Sequence, residues 1–201
     1  MKTLVTKIGC RNAFLGKLTE GSGGSDTYAA PQGMSGMQSV KQSITVASAD
    51  IKGDDAVLHQ FAKFVKGAAD VVTAGESDEI LSLIGGSTIE DGEIVDSMDD
   101  SAPELGLGFI APAVKKTVAG TKEGFYGYFF PKVTFEPVGE DITGQGENIT
   151  PSNSALKATI LANRAGKWRR RKFFDGETLD AAETAANAWV AAKFGATPVT
   201  P

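Results

Sequence analysis

The stretch Gly124-Phe-Tyr-Gly-Tyr-Phe-Phe-Pro-Lys-Val-Thr-Phe-Glu-Pro137 carries a dense aromatic run on strand-like spacing and changes character halfway along. From Lys132 to Glu136, Val133 and Phe135 point one way while Lys132, Thr134 and Glu136 point the other, the period-two pattern of a half-buried strand. In the first half Phe125 and Phe129 take one face and Tyr126, Tyr128 and Phe130 the other, so no solvated face is left. Both faces then need cover from protein. Two sources are open: the layers of an ordinary β-sandwich, for which this is a large demand on a small domain, or a neighbouring subunit.

The flanking sequence reads mostly as strands. Asn12 to Thr19 makes a short one, with Phe14, Gly16 and Leu18 on one face. Val40, Ile44 and Val46 are expected inward, with Gln42 the polar exception, and Lys41, Ser43 and Thr45 outward. The turn chemistry of Asp50-Ile-Lys-Gly-Asp-Asp55 leads into a second extended stretch, Ala56 to about Thr73, with Gly67 as its expected bulge. The two form a long hairpin with an acidic tip. Ser77 can cap a short helix with Asp78 and Glu79 in its first turn and an apolar stripe of Ile80, Leu81, Leu83 and Ile84, ended by Gly85-Gly86. Glu90 to Glu104 reads as an exposed acidic loop, and Ala119 to Gly124 as the turn between Leu105–Val118 and the aromatic strand.

Glycine and proline argue for a further loop from Glu136 to Ser154. Ser154 to Asn163 is a strand with Leu156, Ile160 and Ala162 inward and Lys157 and Thr159 outward, and Ala165-Gly166 turns the chain into Lys167 to Phe174. A closing helix over about 178–194 carries the stripe Leu179, Ala182, Ala186, Trp189, Val190 and Phe194 and stops at Gly195. The expectation is a mainly β fold, a β-sandwich or barrel with a short flanking α-helix and a C-terminal α-helix, in a single domain spanning 1–201.

Composition narrows the function. A formal net charge of -5 argues against gripping nucleic acid through phosphates, which requires Lys and Arg to displace counterions. Met1-Lys-Thr-Leu-Val-Thr-Lys-Ile8 lacks the apolar run of a signal peptide and no stretch is long enough to anchor the chain in a membrane, so synthesis in the cytoplasm is expected. His59 is the only histidine and Cys10 the only cysteine, too few for a soft-ligand zinc site or a nucleophile–base pair. Gly106-Leu-Gly108 and Gly144-Gln-Gly146 lack the third glycine of a dinucleotide loop and read as turn or close-packing glycines. Asp96, Asp99 and Asp100 lack the spacing of a calcium loop. No catalytic residue, metal site or cofactor is expected. The one basic run, Lys167-Trp-Arg-Arg-Arg-Lys172, is expected to face acidic loops of another copy, a nucleic-acid patch being the alternative.

A series of short segments resembles a known family. Lys7-Ile-Gly9, Asp54-Asp-Ala-Val-Leu-His-Gln-Phe61, Gly67-Ala-Ala-Asp-Val-Val-Thr73, Ser77-Asp-Glu-Ile-Leu81, Ala102-Pro-Glu-Leu-Gly-Leu-Gly-Phe109 and Gly127-Tyr-Phe-Phe-Pro-Lys-Val-Thr-Phe135 run in the order found in major tail proteins of long-tailed, non-contractile bacteriophages. The resemblance implies a tail-tube subunit in the virion, made in the host bacterial cytoplasm. Its copies would form hexameric rings that stack into a tube for genome ejection. Tape-measure, tail-tip and tail-terminator proteins would be its partners, and DNA only a transient, non-specific cargo. On that footing Asp50, Lys52, Asp54, Asp55, Tyr126, Tyr128, Phe130, Arg169, Arg170 and Arg171 are expected at contacts between subunits or rings, and Ser43, Thr45, Thr134 and Glu136 on the lumen. Lys41 and Lys132 do not suit such a lining. The competing expectation is a monomeric β-sandwich binding module, a virion appendage or a carbohydrate- or host-binding domain.

Overall fold

The computed structural model describes residues 4–22, 25–53, 56–118, 120–139 and 154–195. In chain order these form β1 (Leu4–Lys7), β2 (Arg11–Thr19), β3 (Thr27–Tyr28), β4 (Gln32–Met34), β5 (Met37–Gly53), β6 (Ala56–Thr73), α1 (Asp78–Gly85), β7 (Thr88–Glu90) and β8 (Glu93–Val95). Then follow β9 (Leu105–Thr117), β10 (Gly120–Phe135), β11 (Ser154–Leu161), β12 (Arg170–Phe174) and α2 (Leu179–Lys193). The fold is mainly β with one short and one C-terminal helix, as the strand periodicities require.

The aromatic stretch lies in β10, the spine of the sheet. One antiparallel sheet runs β3-β2-β9-β10-β11-β6-β5, with β4 also on β2, β1 on β9 and β12 on β10. It curls until β2 approaches β5 but does not close by hydrogen bonding. The change of character within β10 is a bulge. Phe130 pairs with Leu107 and Val133 with Leu105, so Pro131 and Lys132 together face Gly106. A bulge needs no amide from Pro131, and the extra residue inverts the parity of the strand. Tyr128 and Phe130 before it, and Val133 and Phe135 after it, therefore all enter one core with Leu15, Val71, Leu156 and Ile160. Ile80 and Ile84 of α1 pack into the same core, beside the end of β6.

The opposite face of β10 is covered by the chain itself. Ile110, Phe125 and Phe129 meet Ala182, Ala186, Val190 and Phe194 of the C-terminal helix and its cap. Cover from a neighbouring subunit is not needed there, because α2 lies across this half of the sheet. Its docking rests on glycines: a Cβ on Gly108 would sit 2.5 Å from Val190 Cγ1, and one on Gly127 2.8 Å from Trp189 Cε3. Thr178 caps α2 by accepting from Ala181 N at 3.2 Å, and Gly195, at φ 72, ends it. Leu179, expected in the stripe, is exposed, because the helix meets the sheet only from Ala182 onward.

Other local expectations change. Gly67 is not a bulge of β6: it pairs regularly with Ile44 and Ile160 in the crowded middle of the sheet, and the extra residues are Val65, between the Thr45–Lys66 and Val46–Phe64 pairs, and Leu58, between the Ile51–His59 and Lys52–Val57 pairs. Ile44 and Val46 are exposed rather than inward, since the hairpin outruns the core and only Val40 of that set packs against it. Ala162 is exposed because β11 ends at Leu161. The connection between β9 and β10 is shorter than expected, with Gly120 already paired to Thr117. The acidic loop contains a small hairpin, β7–β8, whose Asp91-Gly92 turn has φ of 50 and 88, the two left-handed residues of a tight hairpin turn.

Candidate functional site

Where α2 ends its cover, the same side of the sheet is open. Lateral register sets Ser43, Ala68, Thr159 and Thr134 in one row across β5, β6, β11 and β10. The next row runs Lys41, Asp70 and Lys157 and reaches Glu136, whose amide bonds the Lys157 carbonyl at 2.8 Å. Thr45 lies opposite Lys66 on the other side. All of these are exposed or half-buried, while the residues alternating with them, such as Ala69, Val71, Leu156, Ala158, Val133 and Phe135, are buried. The structure thus gathers Ser43, Thr45, Thr134 and Glu136 onto one solvated face of small hydroxyl groups and interleaved charge.

Lys132, which looks out of place on such a face, is neutralised. Its Nζ lies 2.9 Å from Glu20 Oε1 and 2.7 Å from Glu104 Oε1, and Arg164 Nε adds 2.8 Å to Glu20 Oε2. Burial works against the lysine's charge, but the bonds to Glu104 and Glu20 outweigh it and raise its pKa. The hydrogen bond from Lys132 in turn holds the Glu20 carboxyl below its usual range.

The long hairpin extends past the core as a two-stranded arm, and β5 has no strand partner on its outer edge among the described residues. Val46, Ile51, Phe61 and Val65 are each more than half exposed on it. Of its expected tip contacts, Asp50 is exposed opposite Gln60, Lys52 is placed only by backbone pairing with Val57, and Asp54 and Asp55 lie outside the described residues. The Gly139 to Asn153 loop lies outside them from residue 140 on. Tyr128 and Phe130, expected at a subunit contact, are 4% and 0% exposed in the subunit's own core, and only Tyr126 of that trio reaches the surface.

The basic run lies along β10 beside this arm. Phe173, Arg171 and Arg170 pair with Tyr126, Tyr128 and Phe129. Trp168 stacks on Phe64 at 4.4 Å, and the Arg169 guanidinium lies 4.4 Å from the Trp168 ring and donates to Gln42 Oε1 at 3.2 Å. Arg169 lines a cleft of about 370 Å³ at the seam where the sheet fails to close, together with Lys7, Cys10, Gln42, Phe109 and Tyr128. Lys7 Nζ sits 5.4 Å from the Tyr128 ring centroid, and Phe109 stacks on Tyr128 at 5.0 Å. None of the described residues lining the cleft is acidic. Burial and the neighbouring Arg171 lower the Arg169 pKa, with Tyr128 acting the other way. Sequence reading missed this cleft because Lys7 and Arg169 meet only through the β1–β9–β10–β12 pairings.

The residues weighed for catalysis have other settings. His59 is exposed on the arm, edge-on to Phe61 at 4.6 Å, and burial pushes the Cys10 thiol up, away from the reactive thiolate. Asp96 accepts from Ser87 Oγ at 2.5 Å and Asp100 from Ser97 N at 2.7 Å, so these carboxylates shape their own turns. Among the described residues, no three His, Cys, Asp or Glu side chains converge as a metal site would need, and no helix is long and apolar enough to cross a membrane. Compared with known proteins, the chain matches no family model and no curated protein sequence.

Proposed function

We propose that the chain is a structural, non-catalytic subunit of a hollow tube. Copies close into rings, hexameric by the resemblance, and the rings stack into the tail tube of a long-tailed, non-contractile bacteriophage. Tape-measure, tail-tip and terminator proteins meet the tube, and the genome passes through it without being held. The observation that supports this reading best is the open face of β5, β6, β11 and β10. A DNA conduit needs a hydrated wall that does not accumulate unpaired cations, since a basic wall would retain phosphates by counterion release. Ser43, Thr45, Thr134 and Thr159 supply the hydrated wall, Asp70 and Glu136 are interleaved with Lys41 and Lys157, and Lys132 is already paired, while Lys66 stands opposite Thr45. The unpartnered edge of β5 supplies the second requirement. A long exposed edge strand is an aggregation hazard in a monomer and is removed when the sheets of neighbouring copies join.

The rival reading, a monomeric binding module, needs a localised aromatic platform. Among the described residues Phe61 is the only exposed aromatic side chain, and it sits on the arm. The experiment is concentration-dependent light scattering followed by negative-stain microscopy, with and without tail-tip seeds. Hollow tubes or rings are the expected result. A strict monomer at high concentration in the presence of seeds overturns the proposal.

A further inference from the structure

One long segment of the chain carries no cation. From Gly67 to Val114 there is no Lys or Arg, and this segment includes α1 and the β7–β8 hairpin. The hairpin tip, Glu90-Asp91-Gly92-Glu93, is exposed, and Ile89 and Val95 beside it are 43% and 41% exposed. Glu90 and Glu93 lie directly opposite each other. Like charges in that position repel, and an isolated two-stranded hairpin is marginal by itself, so an external cationic partner would stabilise it on both counts.

The seam cleft has the complementary chemistry. Lys7 of β1 and Arg169, just before β12, reach it over the aromatic floor of Phe109 and Tyr128, and none of its described lining residues is acidic. Lys115 lies 5.2 Å from the Phe173 ring on the adjoining surface and extends the cationic field. Its volume of about 370 Å³ is within the roughly 300–1,000 Å³ of pockets that bury drug-sized ligands, room enough for two carboxylate side chains.

We propose that the Glu90–Glu93 hairpin tip of one copy docks in the Lys7–Arg169 cleft of the next. The contact is heterologous: hairpin and cleft are different surfaces of one chain, so each copy retains one unused half and association propagates. This deepens the tube reading by naming the surfaces through which successive copies meet, and it rests on that reading only in requiring a second copy.

Two full-length variants test it, K7E/R169E in the cleft and E90K/E93K on the hairpin, with circular dichroism and thermal melting as folding controls. Sedimentation velocity at low salt should show self-association of each variant weakened by at least about tenfold, the expected scale for reversing desolvated charge. Mixed together, the two should regain association, because the native hairpin of one meets the native cleft of the other and the two reversed surfaces are themselves of opposite charge, so copies alternate in the mixture while neither variant associates alone. If R169E disturbs the neighbouring core, the exposed Lys7→Glu alone carries the cleft arm. Cys10, the single thiol, lines the cleft and reports its occupancy: labelling by a thiol reagent should slow as wild-type protein is concentrated and stay fast in both variants.

Self-association of either variant at wild-type strength overturns the contact, as does a mixture that stays monomeric. So does Cys10 protection by a single-stranded oligonucleotide in place of a second copy. Microscopy separates this inference from the tube itself. Tubes formed by both variants would remove the contact and leave the conduit, whereas association restored only in the mixture, from a protein that never forms tubes, would remove the conduit and leave the contact.

Discussion

Gly108 has no room for a methyl group, since its Cβ would fall 2.5 Å from Val190 Cγ1 and 3.1 Å from Phe194 Cε2. Gly108→Ala must therefore lift α2 off the sheet or push two buried side chains off their rotamers, and overpacking of this kind costs about 1–3 kcal/mol. Urea unfolding should show that loss, while Gly139→Ala, where nothing lies within 4 Å of the added carbon, stays near wild type. Equal stabilities would mean that the helix is not seated by its glycines. The spacing Gly106-Leu-Gly108 was legible as close packing but not as a helix seat, because Val190 and Phe194 are more than eighty residues away in sequence. At the same scale Tyr128 and Phe130 were legible as residues needing cover, but not as residues covered from within. Which chain covers an aromatic face is decided by tertiary contacts that periodicity does not encode.

The arm formed by β5 and β6 exposes Val46 and Phe61 at 53% each. Replacing both by serine removes apolar surface already in water, so stability should shift by no more than about 0.5 kcal/mol per site. Association should weaken clearly, because among the described residues nothing of the same chain covers these side chains. Parallel thermal melts and sedimentation runs read the two effects, and a double variant that assembles normally would take the arm out of the subunit contact. Elements with strong periodicity and clear stops were the most legible: α2 was expected over 178–194 and spans Leu179–Lys193, and α1 follows Ser77 and ends at an αL glycine, Gly86. The β7–β8 hairpin was missed although Asp91-Gly92 is a strong two-residue turn signal, because the surrounding carboxylates read as a solvated loop. Val65 rather than Gly67 became the bulge because the crowded centre of the sheet, where a Cβ on Gly67 would lie 3.1 Å from the Ser43 carbonyl oxygen, needs a glycine for regular pairing.

Across the whole molecule, an acidic hairpin tip and a cationic seam should make any association of copies sensitive to salt. Raising ionic strength from about 0.1 M to about 1 M shortens the screening length from ~10 Å to ~3 Å, so a charge-led contact should weaken measurably in sedimentation equilibrium. Unchanged or stronger association in salt would assign the contact to the apolar arm instead. The solvated face was legible strand by strand, since Ser43, Thr45, Thr134 and Glu136 each stood on a polar side of an alternation. Its assembly into rows was not, because register across four strands belongs to the pairings. The extra residue at Pro131-Lys132 works like a frameshift in a woven ribbon: above it the even-numbered side chains of β10 face the core, and below it the odd-numbered ones do. Deleting one residue there would leave every loop intact and yet turn half the ribbon inside out, sending Val133 and Phe135 into water and Thr134 and Glu136 into the core. The wet and dry faces of the molecule are thus kept in phase by a single count.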